Sequence, residues 1–144
     1  MKLGLISCTK SKQKRPCKAC EMYKPSALFR KSYSYAIKNY DRVAILSAKY
    51  GLLLPNNRIE PYDLTLKNMS VAERRTWADR VFRQMKSTLL LDKIDEAFFH
   101  AGRAYRELLI PKLETSGVKC FVPLKELSYG RQLAWYDRQT CRIA

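Results

Sequence analysis

Acidic residues are scarce in this sequence of 144 residues: 13 Asp and Glu stand against 28 Lys and Arg, a formal charge of +15 with a pI near 9.8. A field of that sign favours a polyanionic partner, and DNA or RNA is the expected one. Glycine occurs five times and histidine once, at His100. The loop after the first apolar run lacks the glycine framework of a P-loop. Long hydrophobic runs are also missing, so no segment reaches membrane-spanning length. No segment joins a basic face to a Trp, Phe and Leu face, so a membrane surface is not the expected partner. The apolar run in Met1–Ser7 is too short for a signal peptide. Five cysteines, an odd number, then read as reduced thiols in a cytoplasmic protein.

What is present reads as a globular chain. Hydrophobic residues make up 47% and charged residues 28%, which argues against disorder. The length suits one domain over 1–144 with a real core. Residues 2–7 predict a first strand, followed by a polar, basic loop. From Ser26 a helix turns Phe29, Tyr33, Ala36, Ile37 and Tyr40 to one face. The aliphatic run at 42–47 predicts a second strand, and 48–69 an irregular stretch of about twenty residues, a length that usually has a function.

Ser70-Val71-Ala72-Glu73 is a capping box. The helix it opens carries a stripe of Val71, Ala78, Val81, Phe82, Met85 and Leu89. Residues 94–99 predict a third strand and 118–122 a fourth. Between them a helix from about Arg103 buries Tyr105, Leu108, Leu109 and Leu113, with Pro111 kinking or dividing it. A last helix runs from about Ser128 through Trp135. Four alternations of strand and helix predict an α/β fold, a mainly parallel four-stranded sheet between helix layers. Ligands of such sheets bind beyond the carboxyl ends of the strands. Loops 8–22, 48–69, 100–104 and 123–131 meet there.

Those loops hold the groups suited to chemistry. Ser7, Thr9, Lys10 and Lys12 present hydroxyl and ammonium groups that suit a phosphate or carboxylate, unless the loop is merely a solvated basic one. Cys17 and Cys20 form one CxxC pair. With Cys8, Cys120, Cys141 and His100 as the remaining candidates, no second close pair completes a structural zinc site, so no metal is expected. No cofactor is expected either.

Glu60 and Asp63 flank Pro61 and Tyr62. Such loop carboxylates serve as a general base or stabilise a developing cation, or else cap a turn and pair with an arginine. Ser47, Lys49, Tyr50 and Gly51 lie at the start of the same stretch, where Gly51 marks a tight turn or close approach. Gly102-Arg103 and Gly130-Arg131 repeat a glycine–arginine step at two strand-to-helix junctions, suited to an anion. Gly102 has the alternative task of easing a tight turn. Tyr23, Tyr50, Tyr62, Tyr105 and Tyr129 fall in or beside these loops, where they can stack on bases.

Several blocks together carry a family resemblance. They are Leu5 to Lys12, Tyr23 with Pro25 to Arg30, Leu46 to Leu52, Glu60 to Leu66, Ala101-Gly102-x-x-Tyr105 and Gly130 to Leu133. In order and spacing they resemble DUF6884, a bacterial and phage family of unknown function. More distantly the pattern is similar to an accessory domain of archaeal tRNA-guanine transglycosylases and to the YaaA group of DNA-associated proteins. That resemblance implies a three-layer α/β sandwich of uracil-DNA-glycosylase type and a nucleic-acid or nucleotide ligand.

The expected function is cleavage or exchange of an N-glycosidic bond of a base, modified bases included, in DNA or RNA. Asp63 stabilises the oxocarbenium-like sugar or orients water in this reading, with Tyr62, Glu60, Ser47 and Lys49 beside it. Two rival expectations are a non-catalytic DNA- or RNA-binding module and an enzyme on free nucleotides, such as a deoxyribosyltransferase.

Overall fold

A strand buried on both faces needs an unbroken apolar run, and Leu3, Leu5 and Ile6 in β1 (Lys2–Ser7) are almost wholly shielded from solvent. The computed structural model describes residues 1–89 and 91–143, with side chains to Thr140, so Cys141 lies outside the described side chains. β1 is the centre of the sheet.

After β1 come β2 (Cys17–Lys18), the single turn α1 (Ala19–Met22) and α2 (Ala27–Asn39). Ser26 caps α2 by accepting the Phe29 N–H. Next are β3 (Arg42–Ser47), β4 (Gly51–Leu53), β5 (Arg58–Ile59) and a 3-10 turn at Leu66–Asn68. The Ser70–Glu73 capping box opens α3 (Val71–Thr88). β6 (Glu96–His100), α4 (Arg103–Arg106), α5 (Leu109–Thr115), β7 (Lys119–Phe121) and α6 (Tyr129–Ile143) complete the chain.

The main sheet has five strands in the order β4-β3-β1-β6-β7. β1 pairs in parallel with β3 and β6, placing Leu5 between Ala44 and Phe99, and β6 pairs in parallel with β7. β4 runs antiparallel to β3 at the edge, which makes the sheet mixed. α2 lies against β1 and β3 and meets α6; α3 lies against β4 and meets α5. No helix among the described residues is long and apolar enough to cross a membrane.

Two expectations need correction. The sheet has five strands, because the chain turns back at Gly51 to form β4 inside the stretch expected to be irregular. Loop one and loop two are likewise joined, through an antiparallel β2–β5 pair. Ile37 and Val71, expected on buried stripes, are more than half exposed, while Trp77 is buried in α3. The helix is in two pieces, as Pro111 led one to expect: the break falls at 107–108, where the carbonyl of Glu107 would have met the proline ring, and Pro111 sits in the first turn of α5, where no intrahelical partner is lost.

Candidate functional site

The connection from β1 leads through α2 to β3 on one side, and that from β6 leads through α4 and α5 to β7 on the other. β1 and β6 are neighbours whose following segments diverge, the arrangement that opens a crevice at the carboxyl ends of a parallel sheet. A cleft of about 300 Å³ occupies this position. Ser7 enters it from β1 and Thr9 from just beyond it, His100 from β6, Ala101 and Gly102 from the turn that follows, and Arg103 and Arg106 from α4. Phe29 and Ser32 come from α2, Glu126 and Leu127 from the β7–α6 connection, and Gln132 and Tyr136 from α6.

His100 is buried at the back of this cleft. Its Nε2 lies 2.6 Å from the Tyr40 hydroxyl and its Nδ1 2.6 Å from that of Tyr136. Burial lowers its pKa to about 4, so the ring is neutral, with one nitrogen donating and the other accepting. Tyr40 in turn packs over Gly4, where a Cβ would run into the tyrosine ring. The imidazole thus ties β6 to α6 and to the end of α2.

The remaining groups are fixed more locally. Arg106 donates through Nη1 to the Ala101 carbonyl at 2.9 Å, and Arg103 through Nε to Glu107 at 3.0 Å. Thr9 Oγ1 donates to Ser11 O, Ser32 Oγ to Phe29 O, and Gln132 Nε2 to Leu127 O. Glu126 has φ 68°, and among the described residues no other non-glycine has a positive φ. Such a conformation costs about 1–3 kcal/mol and gathers at functional sites.

A second arrangement lies at the carboxyl end of β3. The Tyr62 hydroxyl stands 2.8 Å from Ser47 Oγ and 2.7 Å from the Tyr23 hydroxyl. Ser47 Oγ also accepts the Tyr50 N–H, and its carbonyl accepts the Trp77 indole N–H at 2.9 Å. Burial pushes the Tyr62 and Tyr23 phenols far above their ordinary value, so both remain protonated and act as donors, not as nucleophiles.

Lys12 Nζ lies 4.5 Å over the Tyr62 ring and Lys49 Nζ 5.2 Å over that of Tyr50, within reach of a cation–π attraction. Tyr50 closes the loop by bonding the Glu60 backbone. Tyr105 bonds Cys8 and the Leu66 N–H through its hydroxyl, and burial raises its pKa to about 12.

Ser7, Thr9, Gly102 and Arg103 therefore surround the cleft, while Ser47, Tyr62, Tyr23, Tyr50, Lys12 and Lys49 share the tyrosine–serine cluster. Asp63 and Glu60 are exposed, and neither carboxylate has a hydrogen-bond or ion-pair partner among the described residues. The turn cap and arginine pair weighed for them do not form. Tyr23 and Tyr105 are buried, so neither can stack on a base; for Tyr105 the reading that turned it inward on its helix holds instead.

Gly51 is buried at φ +76°, with Gln84 where a Cβ would stand; its requirement is structural. Gly130 and Arg131 are exposed at the start of α6, and Gln132 next to them is the residue that reaches the cleft. Lys10 is exposed in loop one. Arg103 opens a helix of only four residues.

Arg106, Ser32, Gln132 and Tyr136 line the cleft without having been expected to, while His100 and Glu126 belong to loops expected at this end of the sheet but were not named as site residues. His100 sits at the end of a predicted strand, and that placement was the available signal. The left-handed turn at Glu126 carried none, because neither Gly nor Asn marks it.

Among the described residues no group of three or more His, Cys, Asp or Glu could hold a metal ion. Cys8, Cys17, Cys20 and Cys120 are free thiols.

The sequence model of the Family of unknown function (DUF6884) matches residues 3–138. The chain belongs to DUF6884. Comparison with curated proteins and with solved structures returned no match. Both the cleft and the tyrosine–serine cluster lie within the part of this DUF6884 chain that the family model covers.

Proposed function

We propose that this DUF6884 protein acts on DNA or RNA in the cytoplasm, taking one nucleotide of a strand into the switch-point cleft and cleaving or exchanging its N-glycosidic bond. The observation that carries the reading is the cleft itself. A pocket near the lower end of ligand-binding volumes is flanked by Arg103 and Arg106 on one side and by hydroxyl, amide and carboxylate groups on the other.

The charge supports a polymeric partner over a free nucleotide. Among the described residues only Lys31, Arg74, Arg103 and Lys112 pair through their side chains with a carboxylate. The other described Lys and Arg side chains make no ion pair with a carboxylate. A deoxyribosyltransferase on free nucleotides would leave that field without a use.

Drawing a base out of a strand needs a receiving pocket, and its departure leaves a cationic sugar. Asp63, an unpartnered carboxylate beside Tyr62 in a chain short of acids, suits stabilisation of that cation. The resemblance to glycosylase-type α/β sandwiches, to the transglycosylase accessory domain and to the YaaA group supports the same reading.

A second reading, a non-catalytic nucleic-acid-binding module, is favoured by one observation: Asp63 is not among the residues lining the cleft. Labelled single-stranded, duplex and base-modified DNA and RNA, incubated with the protein and probed for abasic sites, separate the two. The proposal expects base release, and Asp63→Asn should lower it by orders of magnitude. Stability should change by no more than about 0.5 kcal/mol, since an exposed, unpartnered side chain is altered. Binding should persist or tighten as a negative charge is lost. Salt-sensitive binding with no abasic product from any substrate would establish the binding module instead.

A further inference from the structure

The polar atoms of the switch-point cleft are divided by kind. Arg103 and Arg106 on the β6–α4 side each spend one bond on a neighbour, to Glu107 and to the Ala101 carbonyl. Their other guanidinium N–H groups remain for a ligand, and they suit a phosphate. On the remaining elements the protons are largely committed. The Thr9 hydroxyl donates to Ser11 O and the Ser32 hydroxyl to Phe29 O, each at 3.1 Å.

Gln132 donates through Nε2 to the Leu127 carbonyl at 2.9 Å. A carbonyl there can only accept, so the amide is fixed with its nitrogen toward Leu127 and its Oε1 left as an acceptor. Glu126 adds two more acceptor oxygens, which no donor or cation among the described residues satisfies.

Glu126 also occupies a backbone conformation that a glycine would adopt without strain. The turn gains nothing from a glutamate; what the side chain contributes is its carboxylate. That carboxylate would repel a phosphate and an exposed carbonyl oxygen, and it accepts well from an amino group. Cytosine, adenine and guanine each carry an exocyclic amino group, whereas uracil and thymine carry none and offer a carboxylate a single N3–H set between two carbonyl oxygens.

We infer that the cleft selects an amino-bearing base, cytosine, adenine or guanine, over uracil and thymine, with Glu126 as the specificity-determining acceptor and Gln132 Oε1 beside it. This rests on the reading that the cleft receives a nucleotide. The phosphate of that nucleotide lies toward Arg103 and Arg106, and its base edge toward the β7–α6 connection.

The test uses the full chain and oligo-dT strands with one central dT, dC, dA or dG, measured by fluorescence anisotropy at one salt concentration. In parallel, CMP, AMP, GMP and UMP are titrated individually by calorimetry. The central dC, dA or dG strand should bind about tenfold more tightly than all-dT, the discrimination expected of one good base contact. Glu126→Gln should bring the four strands within about twofold of one another.

Glu126→Gly should lose the same discrimination while melting at or above the wild-type temperature, because it removes the strained residue. That variant separates lost recognition from lost fold. Equal binding of the four strands, or discrimination that survives Glu126→Gln, overturns the inference.

If no strand binds, the reading of the protein as acting on nucleic acid fails, and the monophosphates decide selectivity alone. A preference for CMP, AMP or GMP over UMP that Glu126→Gln abolishes upholds it. No preference, or no binding, ends it.

Discussion

The hydroxyls of Tyr23 and Tyr62 lie 2.7 Å apart, and this contact joins the segment after α1 to the loop after β5. Tyr23 is fully buried, so its hydroxyl has little access to water as a substitute. Tyr62 is also the partner of Ser47 Oγ at 2.8 Å. One phenol therefore satisfies two groups from two different parts of the chain.

Tyr62→Phe keeps the ring and removes the shared hydroxyl, leaving Tyr23 and Ser47 each short of a partner. The expected loss is about 1–3 kcal/mol, the usual cost of a buried polar group left unsatisfied. Thermal and urea melts measure it. A variant as stable as the parent would show that the cluster is solvated and does not hold the two loops together.

His100 gives the fold a defined acid limit. Burial lowers its pKa from 6.5 to about 4, so between those values the unfolded chain takes up a proton that the folded chain does not. The contribution is complete above 6.5 and is lost as the pH falls through that window, about 3 kcal/mol in all. The chain has one histidine, so its imidazole resonance can be followed by NMR without assignment ambiguity. A midpoint near 4 is expected. One near 6.5 would mean that the contacts with Tyr40 and Tyr136 do not persist in solution.

Gly51→Ala addresses the turn that creates β4. At φ +76° a side chain is strained, and the Cβ would collide with Gln84. Gln84 brackets the turn by accepting the Leu52 N–H at 2.8 Å and donating to Tyr50 O at 3.2 Å. The substitution should destabilise by roughly 1–3 kcal/mol and lower the melting temperature by several degrees, while nucleic-acid binding per folded molecule is unchanged. Weaker binding at unchanged stability would return Gly51 to the ligand site.

These residues also show where the sequence was informative. β1, β3 and the Ser70–Glu73 box were legible because each is a local pattern: an apolar run buried on both faces, or two caps three residues apart. β4 was not, since Leu52 and Leu53 favour no strand by themselves and pair only because Gly51 reverses the chain onto β3. Ile37 and Val71 were misplaced because helical spacing names a stripe without saying how wide the neighbouring element covers it.

At the cleft, Ser7, Thr9, Gly102 and Arg103 stood at strand ends and were visible as such. Glu126 and Gln132 arrive from the β7–α6 connection and the start of α6, brought there by the packing of α6 on α2. Loop 123–131 was expected at this end of the sheet, but no local pattern singles out these two residues in it or beside it. Tyr23 went astray for the opposite reason: a loop position suggested exposure, and tertiary packing buried the ring, whereas helical spacing had already turned Tyr105 inward.

The central claim is that a nucleotide of a nucleic-acid strand enters the cleft between β1 and β6. Titration of the isotope-labelled protein with a short single-stranded DNA, followed by amide NMR, tests it most directly. The account predicts the largest shifts at the backbone amides of Ser7, Thr9, Gly102, Arg103 and Gln132, together with a change in the His100 imidazole behind them. Shifts confined to loop one and the outer helix faces, with the cleft amides and His100 unmoved, would contradict it.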